Sequence, residues 1–228
     1  MDEDLLLLVQ NKKVSEQLSK GLNVNQKDTQ GRTLLFYSCE SFHHFNVFEQ
    51  LLKHPHIQIN LCTRSGSSPL YTASYYGNDI HVMALLADGR CNVNLSNAND
   101  NSLTPLMGAC YKNNLQTIKL LLSFGRKVDV DKKTTSETSD GHVNFCVGMT
   151  ALDIAQKKGS ILAALLIQEN KFNPIKTVNA WRQQLDLQGT KQNIKKKKRK
   201  KRKKKKEKKK RKKKEKKEKI KKRKREKG

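Results

Sequence analysis

Histidine and cysteine are the side chains whose spacing would reveal most about chemistry in this 228-residue chain, and that spacing argues against a reactive centre. The His clusters are His43-His44 and His54-x-His56, both at helix-turn positions without Cys or carboxylate partners at metal-ligand spacing. Five cysteines, Cys39, Cys62, Cys91, Cys110 and Cys146, are odd in number and contain no C-x-x-C pair. They suggest neither a disulfide framework nor a zinc site, and a reducing compartment is the simpler setting. No phosphate-cradling G-x-x-x-x-G-K-[ST], dinucleotide G-x-G-x-x-G or nucleophile-elbow G-x-S-x-G occurs. With no nucleophile, base and orienting group in evident mutual reach, the expectation is a non-enzymatic protein that needs no cofactor and no metal.

Charge is the stronger chemical signal. Residues 195–228 hold 28 Lys or Arg and four Glu, so they carry +24 of the net +27. The preceding 194 residues are near neutral at +3. Ile220 is the one apolar side chain of this tail, which cannot build a core, and its ammonium groups repel one another. The tail is therefore expected to be disordered, extended and solvated. Two of its segments, Lys196-Lys197-Lys198-Arg199-Lys200 and Lys221-Lys222-Arg223-Lys224-Arg225, resemble monopartite signals read by import receptors. Nearly every window of such a run fits, so accessibility argues for import more than spelling does. Lysines also release counterions from RNA or DNA phosphate without reading bases. An acidic membrane surface is a third target, although no lipid-anchor Cys or adjacent apolar helix accompanies the run. A solvated low-complexity segment without a role is the plain alternative. At the other end, Leu5–Val9 follows Asp2, Glu3 and Asp4 instead of a basic region and is too short for a bilayer, so neither secretion nor membrane insertion is expected.

The body that would position any binding residues is repetitive. Four segments share a Thr/Ser-x-Leu start: Thr33–Ser38, Ser68–Ala73, Thr104–Ala109 and Thr150–Ala155, spaced by 35, 36 and 46 residues. A hydroxyl there can cap a helix, and Pro69 and Pro105 stand where a helix needs no N–H donor. Leu35, Leu70, Leu106 and Leu152 should face a second helix, while Ser38, Ala73, Ala109 and Ala155 let the two approach. Cys39 and Cys110 follow in this lane and read as small packed hydrophobes. The first three starts lead to Leu51-Leu52, Leu85-Leu86 and Leu121-Leu122, then to strand-like exits at Ile57–Asn60, Cys91–Asn94 and Lys127–Val130.

Start motif, Leu-Leu pair and V-N or V-D exit recur together, and on them the sequence resembles the ankyrin repeat family, whose unit is about 33 residues with a T-P-L-H-x-A signature. The resemblance covers roughly residues 4–172. It departs at the His, where Phe36, Tyr71, Met107 and Asp153 stand, so it does not supply the loop-to-loop bonds that His makes. The fold class implied is an all-α ankyrin-repeat solenoid of helix-turn-helix-loop units followed by the polybasic tail. Residues 1–27 form an N-terminal capping half-repeat and 28–172 hold four repeats, at 28–62, 63–98, 99–131 and 148–172. Residues 132–147 are an insertion in a finger loop, with Thr134, Thr135, Ser136, Thr138 and Ser139 as candidate phosphorylation positions. Terminal units should present a polar outer face. The last second helix is expected as a shortened run, Ile161–Ile167. Pro174 interrupts, and 173–194 form a linker or docked helix over Ile175–Leu187, with Val178, Trp181 and Leu185 on one face.

Ankyrin domains bind through finger loops and the concave surface of their first helices. The resemblance places fingers at Asp28–Arg32, Thr63–Ser67 and Asn99–Leu103, and first-helix surface at Glu40, Ser41, Tyr75, Tyr76, Tyr111, Lys112, Lys157 and Lys158. From these, Arg32, Glu40, Arg64, Ser67, Tyr75, Tyr76, Tyr111 and Lys112 are the protein-binding candidates. Tyr75 and Tyr76 stand out because tyrosine offers large contact area at small entropic cost. Adjacent on a helix, they cannot both be buried on one face, and one packing while the other is merely exposed is an equal alternative. The resulting expectation is a monomeric protein-binding adaptor, nuclear or nucleolar, or else cytoplasmic. The rival is a sequence-independent RNA- or DNA-binding protein whose tail is the active part.

Overall fold

Four helix pairs begin on a hydroxyl group. Thr33, Ser68, Thr104 and Thr150 have extended backbone, and each side-chain oxygen accepts from the N–H three residues on at 3.1–3.3 Å. In the last two pairs the contact is reciprocal. Asp153 Oδ2 accepts from the Thr150 backbone N–H at 2.7 Å, and Met107 Sδ lies 3.4 Å from Thr104 N. Both reaching residues occupy the position of the signature His, so the helix start itself is completed without it.

In this computed structural model the described residues are 5–11, 13–96, 103–135, 138–139 and 144–184, with the backbone alone described at 138–139, 144–145, 175 and 184. The elements are α1 (Leu5–Gln10), α2 (Val14–Ser19), α3 (Leu34–Cys39), a short 3-10 turn (Phe42–His44), α4 (Phe45–Lys53), α5 (Pro69–Tyr76), α6 (Asp79–Ala87), α7 (Pro105–Tyr111), α8 (Leu115–Ser123), β1 (Thr138–Ser139), β2 (Asn144–Phe145), α9 (Ala151–Lys157), α10 (Ile161–Phe172) and α11 (Pro174–Gln184). The first helices α3, α5, α7 and α9 pack side by side, and α4, α6, α8 and α10 form the second row. Two compact units divide at Trp181 and Arg182; the second contributes only Arg182–Gln184, the end of α11, to the described residues.

The core lies between the rows. Leu35, Leu70, Leu106, Leu51, Leu85, Leu86 and Leu121 are almost fully buried, and Ser38, Ala73, Ala109 and Ala155 fill the narrow lane between helices. Leu152 departs from this pattern and is only half-buried, because among the described elements α9 has a neighbouring first helix on one side alone; Ala151, Ile154 and Ala155 make the contact instead. Burial pushes the Cys39 thiol well up and the Cys91 and Cys110 thiols up to about 12, which keeps all three protonated and unreactive.

Successive units are tied by a series of asparagines. Asn25 Nδ2 donates to the His56 carbonyl at 2.8 Å while its Oδ1 accepts from Gln58 N at 2.9 Å. Asn60 repeats this with Arg90 O and Asn92 N, both at 2.8 Å, and Asn94 with Lys127 O and Asp129 N, again at 2.8 Å. The exits, which the pattern reads as strand-like, form no strands among the described residues; these paired bonds satisfy their backbone instead. Asn78 and Asn114 add ties at the second-helix starts, donating to Cys39 O at 2.8 Å and to Ser74 O and Tyr75 O at 2.9 Å.

The connection between α8 and α9 carries a hairpin. Thr134 N donates to Met149 O and Gly148 N to Thr134 O, both at 2.9 Å, and beyond this neck β1 and β2 pair antiparallel with Thr138 opposite Phe145. The fold is thus mostly helical with one short added hairpin. Thr134 is 2 % exposed and bonds the Cys146 carbonyl at 2.7 Å, so it serves the neck and is closed to a kinase. The second helix of the last pair also differs from expectation. Helix α10 runs to Phe172 without shortening and leaves Ile161, Leu162, Leu165 and Phe172 exposed instead of a polar outer face. In α11, Trp181 is buried and Thr177 Oγ1 donates to the Glu169 carbonyl at 3.3 Å, which ties this helix to α10.

Candidate functional site

The first helices end side by side, and their last residues form a continuous row. Glu40 follows α3, Tyr75 and Tyr76 end α5, Tyr111 and Lys112 end α7, and Lys157 and Lys158 end α9. Gly77, at φ 69°, turns the chain into α6, and a Cβ there would stand 3.0 Å from the Asn114 amide.

Along this row the aromatic rings form a ladder. Tyr71 and Tyr75 stack at 5.9 Å between centroids with planes 29° apart, and Tyr75 stacks on Tyr111 at 5.9 Å and 13°. Tyr76 meets Tyr75 edge-on at 5.3 Å and is 55 % exposed, whereas Tyr75 and Tyr111 are half-buried. The neighbouring tyrosines therefore divide their roles, one in the ladder and one presented outward. Gly108 makes the ladder possible, since a Cβ there would meet Tyr71 Cε2 at 2.9 Å.

Cations sit on the rings. Lys112 Nζ lies 4.6 Å from the Tyr75 centroid and 5.5 Å from that of Tyr111, and Lys158 Nζ lies 4.2 Å above Tyr111. Each ammonium is attracted to the electron-rich ring face, an arrangement that positions the charge without neutralising it. Lys157 Nζ approaches Cys146 Sγ of the inserted finger at 3.6 Å. At the opposite end of the row, burial raises the Glu40 carboxyl pKa, with Arg32 partly offsetting it. Burial and then the Glu40 charge raise the Tyr76 phenol, which places Glu40 and Tyr76 within electrostatic reach of one another.

The finger residues are arranged differently. Arg32 Nε pairs with Asp28 Oδ2 at 2.8 Å and its guanidinium lies 5.0 Å from the Tyr37 centroid, while the Tyr37 hydroxyl donates to Asp28 Oδ2 at 2.7 Å. Burial alone would raise Asp28, but the Tyr37 hydroxyl and Arg32 hold it below the usual range. Arg32 is therefore occupied in bracing its own finger. Ser67 is half-buried, with its N–H donating to Thr63 Oγ1 at 3.0 Å. Arg64 has an exposed side chain, and its N–H donates to Gln30 O at 2.8 Å where finger one meets finger two. Gly31, φ 75°, permits that approach, because a Cβ would stand 2.9 Å from Arg64 N. The structure thus brings Glu40, Tyr75, Tyr76, Tyr111 and Lys112 together and leaves Arg64 and Ser67 at the finger junction, while Arg32 braces its finger through Asp28 within electrostatic reach of Glu40. Residues 97–102, which include most of the third finger, and all the tail candidates from Lys196 to Arg225 lie outside the described residues.

Sequence reasoning missed two contributors. Tyr71 stands at the signature position, but its four-residue spacing to Tyr75 and a glycine at 108 were signals for a stack. Asn25, Asn60 and Asn94 recur at 35 and 34 residues, a spacing that pointed to ties between units. Among the described residues no group of three His, Cys, Asp or Glu could hold a metal ion, and no helix is long and apolar enough to cross a membrane.

Comparison with known proteins agrees with this architecture. A family model described as ankyrin repeats in three copies matches residues 5–97 and 78–177. FPV024 of Fowlpox virus (strain NVSL), described as an ankyrin repeat protein, is 35% identical over 85 residues, which cover 37% of this chain and 14% of that relative. The match therefore spans a small part of the relative's length. Capped helix pairs, buried Leu-Leu seams and the family match across most of the chain lead to one conclusion: this protein belongs to the ankyrin repeat family.

Proposed function

We propose that the repeats act as a non-enzymatic adaptor that binds a protein partner across the first-helix ends, and that residues 195–228 direct the chain to the nucleus or nucleolus. Ankyrin repeats generally serve protein–protein interaction and are typically non-enzymatic, which supports the first half. The observation that carries it is the tyrosine ladder with Tyr76 turned outward, a rigid amphipathic surface of the kind that supplies binding hot spots. The +24 charge of residues 195–228 supports the second half, through an import receptor that reads Lys/Arg in acidic grooves.

Affinity purification with the full chain tests the binding surface. Tyr75→Ala with Tyr76→Ala should leave the helical signal intact and deplete captured partners. Retention of every partner by this variant would move the site elsewhere. The same tail charge also favours a second reading, in which RNA or DNA phosphate binds residues 195–228 irrespective of sequence. That reading requires affinity that falls steeply with salt and survives both tyrosine substitutions.

A further inference from the structure

The row of first-helix ends is electrically polar. Glu40 stands at one end and Lys112, Lys157 and Lys158 at the other, with the tyrosine ladder between them. Ion pairs among the described residues use Lys20, Arg32, Lys53, Arg90 and Lys171, so Lys112 and Lys158 are held on ring faces and no carboxylate of the described residues pairs with them. From this geometry we infer that the partner presents an extended acidic segment, its Asp or Glu carboxylates over Lys112 and Lys158 and a basic or hydrogen-bond-donating residue toward Glu40.

Three features favour carboxylates of a peptide over the phosphates of a nucleic acid. Glu40 repels a continuous polyanion laid along the row, whereas a peptide can change charge along its length. The faces of Tyr75 and Tyr111 are turned to each other and to lysines, which leaves them poorly placed to stack bases. The charges are also few and set on one edge, unlike a groove that tracks a nucleic-acid backbone. This inference rests on the adaptor reading and narrows it to a partner chemistry and a direction of binding.

The test must separate this face from the basic tail, which attracts acidic peptides by itself. A displayed random-peptide library is first depleted on full-length Lys112→Gln/Lys158→Gln protein, which keeps the entire tail, and then selected on the full-length wild type. The inference predicts survivors enriched in Asp and Glu that bind wild type about tenfold more tightly than the double variant, as expected for two exposed charge contacts. Their affinity should also fall on Tyr76→Ala. Survivors without acidic enrichment that still lose affinity on Tyr75→Ala/Tyr76→Ala would overturn the acidic-segment inference while leaving the adaptor surface standing. No survivors would overturn the acidic-segment inference alone, because depletion also removes peptides that bind the tyrosines without the lysines; binders selected from the undepleted library that are indifferent to all four substitutions would overturn both. A single-stranded oligonucleotide offered in parallel decides the class: a larger Lys112/Lys158-dependent loss for it than for the peptides would overturn the inference in favour of phosphate.

Discussion

Acidification should loosen the seam between the first two repeats through one residue, His81. Its side chain on α6 is fully buried, with ring centroids 5.2 Å from Phe45 and 4.6 Å from Phe48 of α4. Among the described residues neither ring nitrogen has a hydrogen-bond partner, although the nearby Ser38 backbone slightly favours the charged form. Burial first, and His44 second, lower its pKa from 6.5 to about 4. The unfolded chain therefore takes up this proton near pH 6.5, while the folded chain resists it until about pH 4. Stability from this residue is complete above pH 6.5, declines as pH falls through that window, and changes no further below it. At about 1.4 kcal/mol per pH unit of separation, the loss amounts to about 3 kcal/mol. Asp28 and Asp153, both held low, add acid losses of their own, and Glu40 and Asp79, both raised by burial, act in the opposite sense. The His81 contribution is isolated by comparison with His81→Leu. Urea unfolding followed by far-UV circular dichroism at a series of pH values should give a wild-type-minus-variant difference that is flat above pH 6.5 and shifts against wild type by about 3 kcal/mol at pH 4. A difference independent of pH would refute the assignment of His81 as a buried neutral histidine.

Further predictions concern the ties between repeats. Asn60→Ala removes the bonds to Arg90 O and Asn92 N and should cost about 1–2 kcal/mol in urea unfolding, with faster amide exchange at residues 90–94. Gly108→Ala gains about 1 kcal/mol of helix propensity but drives a Cβ to 2.9 Å from Tyr71, so a lower melting temperature and an altered near-UV tyrosine signal are expected. Leu106→Asp buries a charge between two helices of a central repeat and should abolish the cooperative melt or cause aggregation.

Much of this architecture was legible because it is local. Thr33, Ser68, Thr104 and Thr150 announce helix starts through a bond that spans three residues, and the Leu-Leu pairs recur once per unit, 34 and 36 residues apart. The length of α10 was less so, since Gln168–Phe172 combines polar residues with no breaker before Pro174. The site was half legible. Tyr75, Tyr76, Tyr111 and Lys112 follow from the repeat register, but the stacking of Tyr71 depends on the space above Gly108, set by a neighbour 37 positions away. Arg32 looked available because its sequence neighbourhood gives no hint that Tyr37 would reach back to the same carboxylate. The asparagine ties escaped notice for a similar reason: each joins exits about one repeat apart, and its meaning appears only when the repeats are stacked.

The most direct measurement of the adaptor account compares the proteins captured by the full chain and by a chain ending at Ile194, which lacks the +24 segment. The shorter chain should keep the same melt and the same partner set, whose capture remains sensitive to Tyr75→Ala/Tyr76→Ala, while nuclear accumulation and salt-dependent binding to RNA, DNA or heparin are lost. A correctly folded shorter chain that captures no partner would contradict it, because the repeats would then be only a carrier for the basic tail.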